Sequence, residues 1–386
     1  LVDTYYNWQW GLKNTGQNGG VAGVDIKIES VWSIRQGNSN IKIAVIDHGV
    51  DLTHPDLQAN LLSGYDASGN NSGGAPVLSY GGKDYHGTAC AGIIAAIKDN
   101  NEGIAGIAPN CKIIPVHAVN SSGFIDKDLV ANSIQWAWQN GADVMSLSWS
   151  SVSEYTPLTN AINTAVAQGR NGKGCILVFS TGNNSVSEVH FPAKLPNVIA
   201  VGSADRYGDR ASSSNYGSAL NVVAPGVGIY TTDLQGSAGY SSGNYHFSFS
   251  GTSAATPHVA GVAALVLSAH PNLTAEQVRQ AIESTCTKLP NYTFSSNSTH
   301  LSGTWNEQVG YGLVNAYAAV QAGACPTTNF TNQTVNTNTI IVSNCGDINV
   351  QNVSVQNGAK LTLDAAGSTT INAPFEVVLG SELEIK

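Results

Sequence analysis

The stretch "IKIAVIDHGVDLTHPDL" (residues 41–57) places a run of apolar and β-branched residues directly before an aspartate. The run is of strand length and almost continuously apolar, so it reads as a strand buried on both faces. The pattern recurs. "CKIIPVHAV" (111–119), "DVMSLSW" (143–149), "CILVFSTG" (175–182) and "NVIAVGSA" (197–204) are runs of the same kind. Helical patterns over 87–97, 126–140 and 155–169 lie between several of them. Such alternation predicts an α/β fold, a doubly wound and mostly parallel sheet covered by helices on both faces. Two more helices are expected over 253–269 and 274–285, the second opening on a capping arrangement, Thr274 ahead of Glu276 and Gln277.

Residues 1–35 form an arm, "YYNWQWGLKNTGQNGG" and a short amphipathic segment. After Cys325 the texture changes to short alternating segments such as "INVQNVSV", "AKLTLDA" and "SELEIK", broken by Gly, Asn or Pro. That predicts a small all-β module, a sandwich or a short solenoid. The expected division is 1–323 for the large domain and 324–386 for the module, with the boundary at "QAGACPTT".

The 386 residues suffice for one large core and something smaller. Charged residues are 11%, well under the roughly 25% usual for soluble domains. Gly, Ser, Thr and Asn take their place, a composition expected of a secreted protein. A net charge of −9 without clustered Lys and Arg argues against nucleic acid as a partner. No apolar run approaches the ~20 residues of a membrane span. The start at Leu1 rather than Met points to a processed form. Six cysteines stand far apart with no CxxC spacing, which excludes the usual zinc pattern. Cys325 and Cys345 share the tail and are the expected disulfide; bridges suit an exported chain.

Parallel sheets of this kind present functional residues at the carboxyl ends of their strands. Asp47 ends the first run, and Asn183 stands just past the run 175–182. His86 opens a helix in "KDYHGTACAGIIAA", and Ser253 opens another in "SFSGTSAATPHVAGVAAL" (248–265). Taken singly, each has a plain structural reading: a turn or cap for Asp47 and Asn183, packing for His86 and Ser253. Together they supply a serine at a helix N-terminus, a histidine base, a carboxylate to orient it and an amide for an oxyanion.

The motifs "VIDHGVDLTHPDL", "HGTACAGIIAA", "STGNN" and "GTSAATPHVAGVAAL" resemble those of the subtilisin-like serine proteases, the subtilases, over about residues 1–320. The resemblance implies a serine endopeptidase working through an acyl-enzyme, made as a zymogen with a propeptide and acting as a secreted monomer on proteins or peptides. Carried over by motif, Asp47, His86 and Ser253 form the triad and Asn183 donates to the oxyanion. The arm "DTYYNWQWGLKNTG" and the cysteine of "HGTACAG" are similar to the kexin branch. The convertase motif "SWGP" is here "SWSSVSEY", whereas "SVSEVHFPAKLPNVIAVGSAD" looks like the degradative bacterial enzymes, so strict dibasic cleavage is not expected. Glu154 and Glu188 read as solvated surface groups ahead of basic-residue binders. The family's specificity pocket falls on Ser146, Leu147 and Ser148, on Gly182 and on His190, whose imidazole either shortens the floor and disfavours large aromatic side chains or swings out to solvent.

The resemblance also implies a structural calcium ion. Its ligands would be Asp3, Asp56, the side chain of Asn100 and the carbonyls of Ile97, Glu102 and Ile104 in "IKDNNEGIAG", an oxygen-only set suited to a hard cation. Cys90 is expected beneath the imidazole as a buried thiol, with mercurial sensitivity as its consequence. His48 departs from the small residue usual after the aspartate, and either tunes or covers it. The tail "NAPFEVVLGSELEIK" resembles modules of secreted Bacteroidetes proteins and reads as a substrate or surface binder or a spacer. A pseudoprotease would need a broken triad, and an esterase would need a G-x-S-x-G elbow; neither is present.

Overall fold

The computed structural model describes residues 2–78, 85–323, 328–343, 348–365 and 368–386. It contains two compact units, Leu1–Gly323 and Ala324–Lys386. In the first, the described elements begin α1 (Ile28–Trp32), β1 (Lys42–Asp47), β2 (Tyr65–Asp66), α2 (His86–Ala95) and β3 (Lys112–His117). They continue α3 (Lys127–Gln139), β4 (Val144–Leu147), α4 (Thr156–Gln168), β5 (Ile176–Ser180), β6 (Ile199–Ala204) and β7 (Val222–Pro225). A hairpin, β8 (Ile229–Thr232) and β9 (Tyr245–Phe249), leads into α5 (Thr252–Ala269), α6 (Ala275–Ser284) and α7 (Ala316–Ala322). The second unit holds β10 (Thr328–Val335), β11 (Thr339–Ser343), β12 (Ile348–Val355), β13 (Lys360–Ala365), β14 (Thr369–Val377) and β15 (Glu382–Ile385).

Every apolar run became a strand of one seven-stranded sheet, ordered β2-β3-β1-β4-β5-β6-β7 and parallel throughout. The chain fills one side of β1 with β2 and β3, then returns to the other side with β4. β1 and β4 therefore flank the switch point, where a doubly wound sheet opens a crevice beyond its strand ends. Alternation divides the buried residues between two layers. Ala44, Ile46, Met145, Leu147, Leu177 and Phe179 pack on Val130 and Ile134 of α3 and on Leu158 and Ile162 of α4. The other face is covered by α5, which packs against α2 and against β4 to β7.

α5 is long and apolar enough to cross a membrane by composition alone, with a mean hydropathy of 1.3, but the fold buries it almost completely. It is a core helix, and its small residues are what let it lie on the sheet. The capping arrangement at α6 forms in full: Thr274 Oγ1 accepts from Gln277 N, and Gln277 Oε1 accepts from Thr274 N.

Close approach sets the position of α2. A Cβ on Gly87 would stand 2.2 Å from the carbonyl oxygen of Gly49 and 3.1 Å from Asp47 Cβ. Only glycine lets the helix rest on the end of β1.

The second unit is a solenoid, not a sandwich. β10-β12-β14 and β11-β13-β15 form two parallel three-stranded sheets, so each rung adds one strand to each sheet. Ile348, Val350, Val353, Val355, Leu361 and Leu363 fill the space within. Asparagines stack from rung to rung outside: Asn372 Nδ2 donates to Asn349, whose own amide donates to Asn329, at 2.7 and 3.1 Å. The expected Cys325–Cys345 bridge lies outside the described residues, and the four described cysteines, Cys90, Cys111, Cys175 and Cys286, are buried free thiols.

Gly87→Ala forces α2 off the end of β1, a backbone clash costing about 1–3 kcal/mol. Thermal unfolding should register it as a lower midpoint, and an unchanged midpoint would mean that this approach is not tight.

Candidate active site

Asp47 is the last residue of β1 and His86 the first of α2. His86 Nδ1 lies 2.8 Å from Asp47 Oδ1 and 3.0 Å from Oδ2. An ionised carboxylate only accepts, so Nδ1 carries the proton and Nε2 is left as the basic nitrogen. Burial works against both charges, yet their mutual attraction, helped by a bond from His48, outweighs it. Asp47 is held well below the usual carboxylate range, and His86 is raised well above an ordinary histidine.

Ser253 lies in the first turn of α5, half-buried. Its hydroxyl donates to the carbonyl of Ser148, just past β4, at 3.0 Å. The serine–histidine bond is thus the one link of the expected triad not made in this arrangement. The carbonyl of Ser253 has an unusual position too. Pro257, one turn later, has no N–H to give it. Ser148 Oγ supplies a bond to that oxygen at 2.9 Å, and the Cys90 thiol approaches it at 3.7 Å. Ser148 and Ser253 are therefore doubly joined, side chain to carbonyl in each direction.

Asn183 follows β5. Its Oδ1 accepts from Thr252 N at 2.9 Å and from Thr252 Oγ1 at 3.0 Å. These bonds occupy the oxygen and leave the NH2 group as a donor at the exposed edge of the site. Gly251, at φ +113°, turns the chain into α5 in a conformation open to glycine, and a Cβ there would sit 3.2 Å from Asn183 Nδ2.

The expected pocket residues divide. Ser146 is buried and its Oγ has no hydrogen-bond partner. Gly182 faces His190: a Cβ on Gly182 would stand 2.9 Å from His190 Nδ1 and 3.2 Å from Ser150 Oγ. His190 is buried beside this gap rather than turned to solvent. Leu147 corrects the expectation. Its side chain belongs to the core under α3 and α4, because adjacent residues of a strand point to opposite faces. Glu154 pairs with Lys194 at 2.8 Å and Glu188 is exposed, so both remain surface groups.

The six expected calcium ligands include two carboxylates brought to one loop. Asp3 Oδ1 accepts from Asn100 N at 3.1 Å, and Asp56 Oδ1 accepts from Asn100 Nδ2 at 2.9 Å. Asp56 Oδ2 accepts from Ile104 N at 3.0 Å, while Asp3 Oδ2 is buried with no partner. Burial pushes the Asp56 carboxyl up to about 7, with the charge of Asp3 adding to it, and raises Asp3 as well. Asn100 Oδ1 accepts from Glu102 N at 2.9 Å. The loop follows α2, which ends at Ala95 rather than at residue 97 and so frees Ile97 for it.

Residues 38–312 match the family described as "Subtilase family". The chain is 40% identical over 319 residues to a thermophilic serine proteinase of Bacillus sp. (strain AK1), covering 82% of this chain and 68% of that protein. The chain is a subtilase, a serine protease. It is also 35% identical to a calcium-dependent protease of Trichormus variabilis over 81% of its own length, and spans about half of that relative, 51%. A solved protease structure from Pseudoalteromonas arctica superposes with a TM-score of 0.66 at 29% identity, covering 84% of this chain and 99% of that one.

In this subtilase the thiol of Cys90 lies under the site, 4.0 Å from both Asp47 Oδ2 and His86 Nδ1. Burial raises its pKa, so little thiolate forms. The Ser148–Ser253 pairing escaped the sequence reading, although the proline inside an apolar helix start was the visible sign of it. Iodoacetamide on the native subtilase should leave Cys90, Cys111, Cys175 and Cys286 unlabelled, and denaturant should expose all four to alkylation by peptide mass mapping. Rapid labelling of native Cys90 would contradict its burial.

Proposed function

We propose that this subtilase is an endopeptidase that cuts proteins through an acyl-enzyme on Ser253. The observation that carries this is the buried Asp47–His86 bond, which leaves Nε2 of His86 basic beside the N-terminal turn holding Ser253. On substrate binding the Ser253 hydroxyl leaves the Ser148 carbonyl by rotating about Cα–Cβ and gives its proton to His86 Nε2. Oγ attacks the scissile carbonyl carbon. The resulting oxyanion is met by Asn183 Nδ2 and by the Ser253 N–H, which has no intrahelical acceptor in the first turn of α5. Asp47 holds the neutral imidazole in its tautomer and stabilises the imidazolium that forms, and His86 then delivers the proton to the leaving amine. Water repeats the sequence to release the acid.

Ser146, Ser148, Gly182 and His190, with the backbone of Leu147, line the subsite for the residue ahead of the cut bond. The buried imidazole shortens this subsite and disfavours large aromatic side chains. Peptide-library profiling checks this, and a strong preference for Phe or Tyr would rule it out.

Calcium is the fitting ion for the loop at residues 97–104. Asp3 Oδ2 is a buried carboxylate oxygen without a partner, and the donors are all hard oxygens. Asp3, Asp56, Asn100 with its amide turned oxygen-inward, and the carbonyls of Ile97, Glu102 and Ile104 would hold it. The bound ion supplies charge neutralisation and a tie between arm and core, not chemistry. The enzyme is read as a secreted monomer matured from a zymogen by loss of its propeptide, in keeping with its low charge content and its subtilase relatives. Mercuric ion, which is small and binds sulfur more strongly than an alkylating reagent reacts with it, should inhibit slowly through Cys90, at the rate at which the site opens.

A fluorophosphonate should add one phosphonyl group to Ser253, read by intact mass, and none to Ser253→Ala. No adduct on folded wild type would leave a binding module in place of the protease. Asn183→Ala should lower kcat by about 10²–10³, a magnitude measured on subtilisin itself and taken over here. Activity should fall as pH drops through the raised His86 pKa, since only the neutral imidazole accepts the proton. Asp47→Asn removes the cause of that raising, so this acidic limb should move to lower pH while the rate falls about 10⁴-fold. EGTA should lower the thermal midpoint and excess calcium restore it, a ligand at 100 times its Kd adding about 2.7 kcal/mol; indifference to EGTA in wild type would remove the calcium assignment.

A further inference from the structure

His48 is a second imidazole on the triad carboxylate. Its backbone N–H donates to Asp47 Oδ1 at 2.8 Å, and its Nδ1 lies 3.0 Å from the same oxygen. His86 Nδ1 reaches that oxygen at 2.8 Å from the other side. The two rings stand 5.7 Å apart, centroid to centroid. The side chain of His48 is 12% exposed, so the bond is shielded by protein rather than bathed in water. Because the carboxylate only accepts, the His48 nitrogen facing it must carry a proton, as that of His86 does.

We infer that His48 is a positioning residue for Asp47, holding the carboxylate by a third N–H bond and dividing it between two imidazoles. The inference rests on the triad reading given above. Two effects follow from the geometry. The ring locks the Asp47 rotamer, since rotation of the carboxylate away from His86 would break the His48 bond as well. It also draws charge from Oδ1, so the attraction that raises His86 is smaller than an undivided carboxylate would give. Among the described residues, Cys90 on α2, Tyr85 just ahead of that helix, Tyr240 of the β8–β9 loop and His117 on β3 are further titratable groups near the pair. His117 Nδ1 lies 3.1 Å from Asp66 Oδ1 at the end of β2, so that imidazole is bound to a carboxylate of its own.

Asparagine places its Nδ2 where histidine places Nδ1, which separates the hydrogen bond from the ring. His48→Ala should move the acidic limb of kcat/KM to higher pH by about one unit, and His48→Asn should return it to the wild-type position. Coincident limbs in all three proteins, or a His48→Asn limb that follows His48→Ala, would overturn the inference. A readout independent of variant folding comes from ¹⁵N-histidine NMR on the Ser253→Ala protein, where three imidazoles, His86 and His48 on Asp47 and His117 on Asp66, should show Nδ1–H tautomers bonded to carboxylate. A His48 protonated only at Nε2 would overturn it as well. Failure of fluorophosphonate to label wild-type Ser253 is a different result, which removes the triad reading itself.

Discussion

The structure turns on how closely two helices approach the ends of a parallel sheet at its switch point. α2 rests on β1 because Gly87 carries no side chain against the Gly49 carbonyl, and α5 enters over Gly251 at φ +113° beside Asn183. These contacts bring a carboxylate, an imidazole, an amide and a hydroxyl from four distant parts of the chain to one crevice. The layers beneath are ordinary apolar packing. They tolerate exchange of similar residues, whereas the glycines at the rim do not.

Much of this was legible in the sequence. The five apolar runs announced the sheet because strands buried on both faces lose their alternation, and the helices between them announced its covering. The positions proposed for the triad stood out for a related reason: each sits at the border of a regular element, Asp47 at the end of β1, His86 and Ser253 at the starts of α2 and α5. What stayed hidden was the short and the relational. β2 is two residues long, and β7 falls in a stretch broken by proline and glycine, so neither carries a periodic signal. Leu147 was misplaced because a motif names a segment, while pleating decides which of its side chains face the pocket. The module was read as all-β with its architecture open, since strand length alone does not distinguish a sandwich from rungs in parallel register.

Pro257 shows how a residue unfavourable to a helix serves the site. Its missing N–H frees the Ser253 carbonyl for Ser148, whose own carbonyl receives the Ser253 hydroxyl. The serine is thus held from two sides by the strand end next to Asp47's own strand. The local cost of the proline is recovered as position. The same exchange appears at Asn183, whose oxygen is committed to Thr252 so that its amide faces the only direction left.

The meeting of Asp3 with Asn100 has a topological meaning beyond its hydrogen bond. The two residues are 97 apart in sequence, and everything between them, including Asp47 and His86, lies in the loop so closed. Closing a loop of that size restricts the opened chain, and a covalent bridge across about 100 residues is worth about 4–5 kcal/mol by chain entropy. The calcium ion proposed for this junction would act as a bridge that can be dissolved. The N-terminal arm would then be a fuse: while it is seated, the segment carrying Asp47 and His86 is enclosed in a ring, and once released that segment would be an open stretch of chain, accessible to other molecules of the protease.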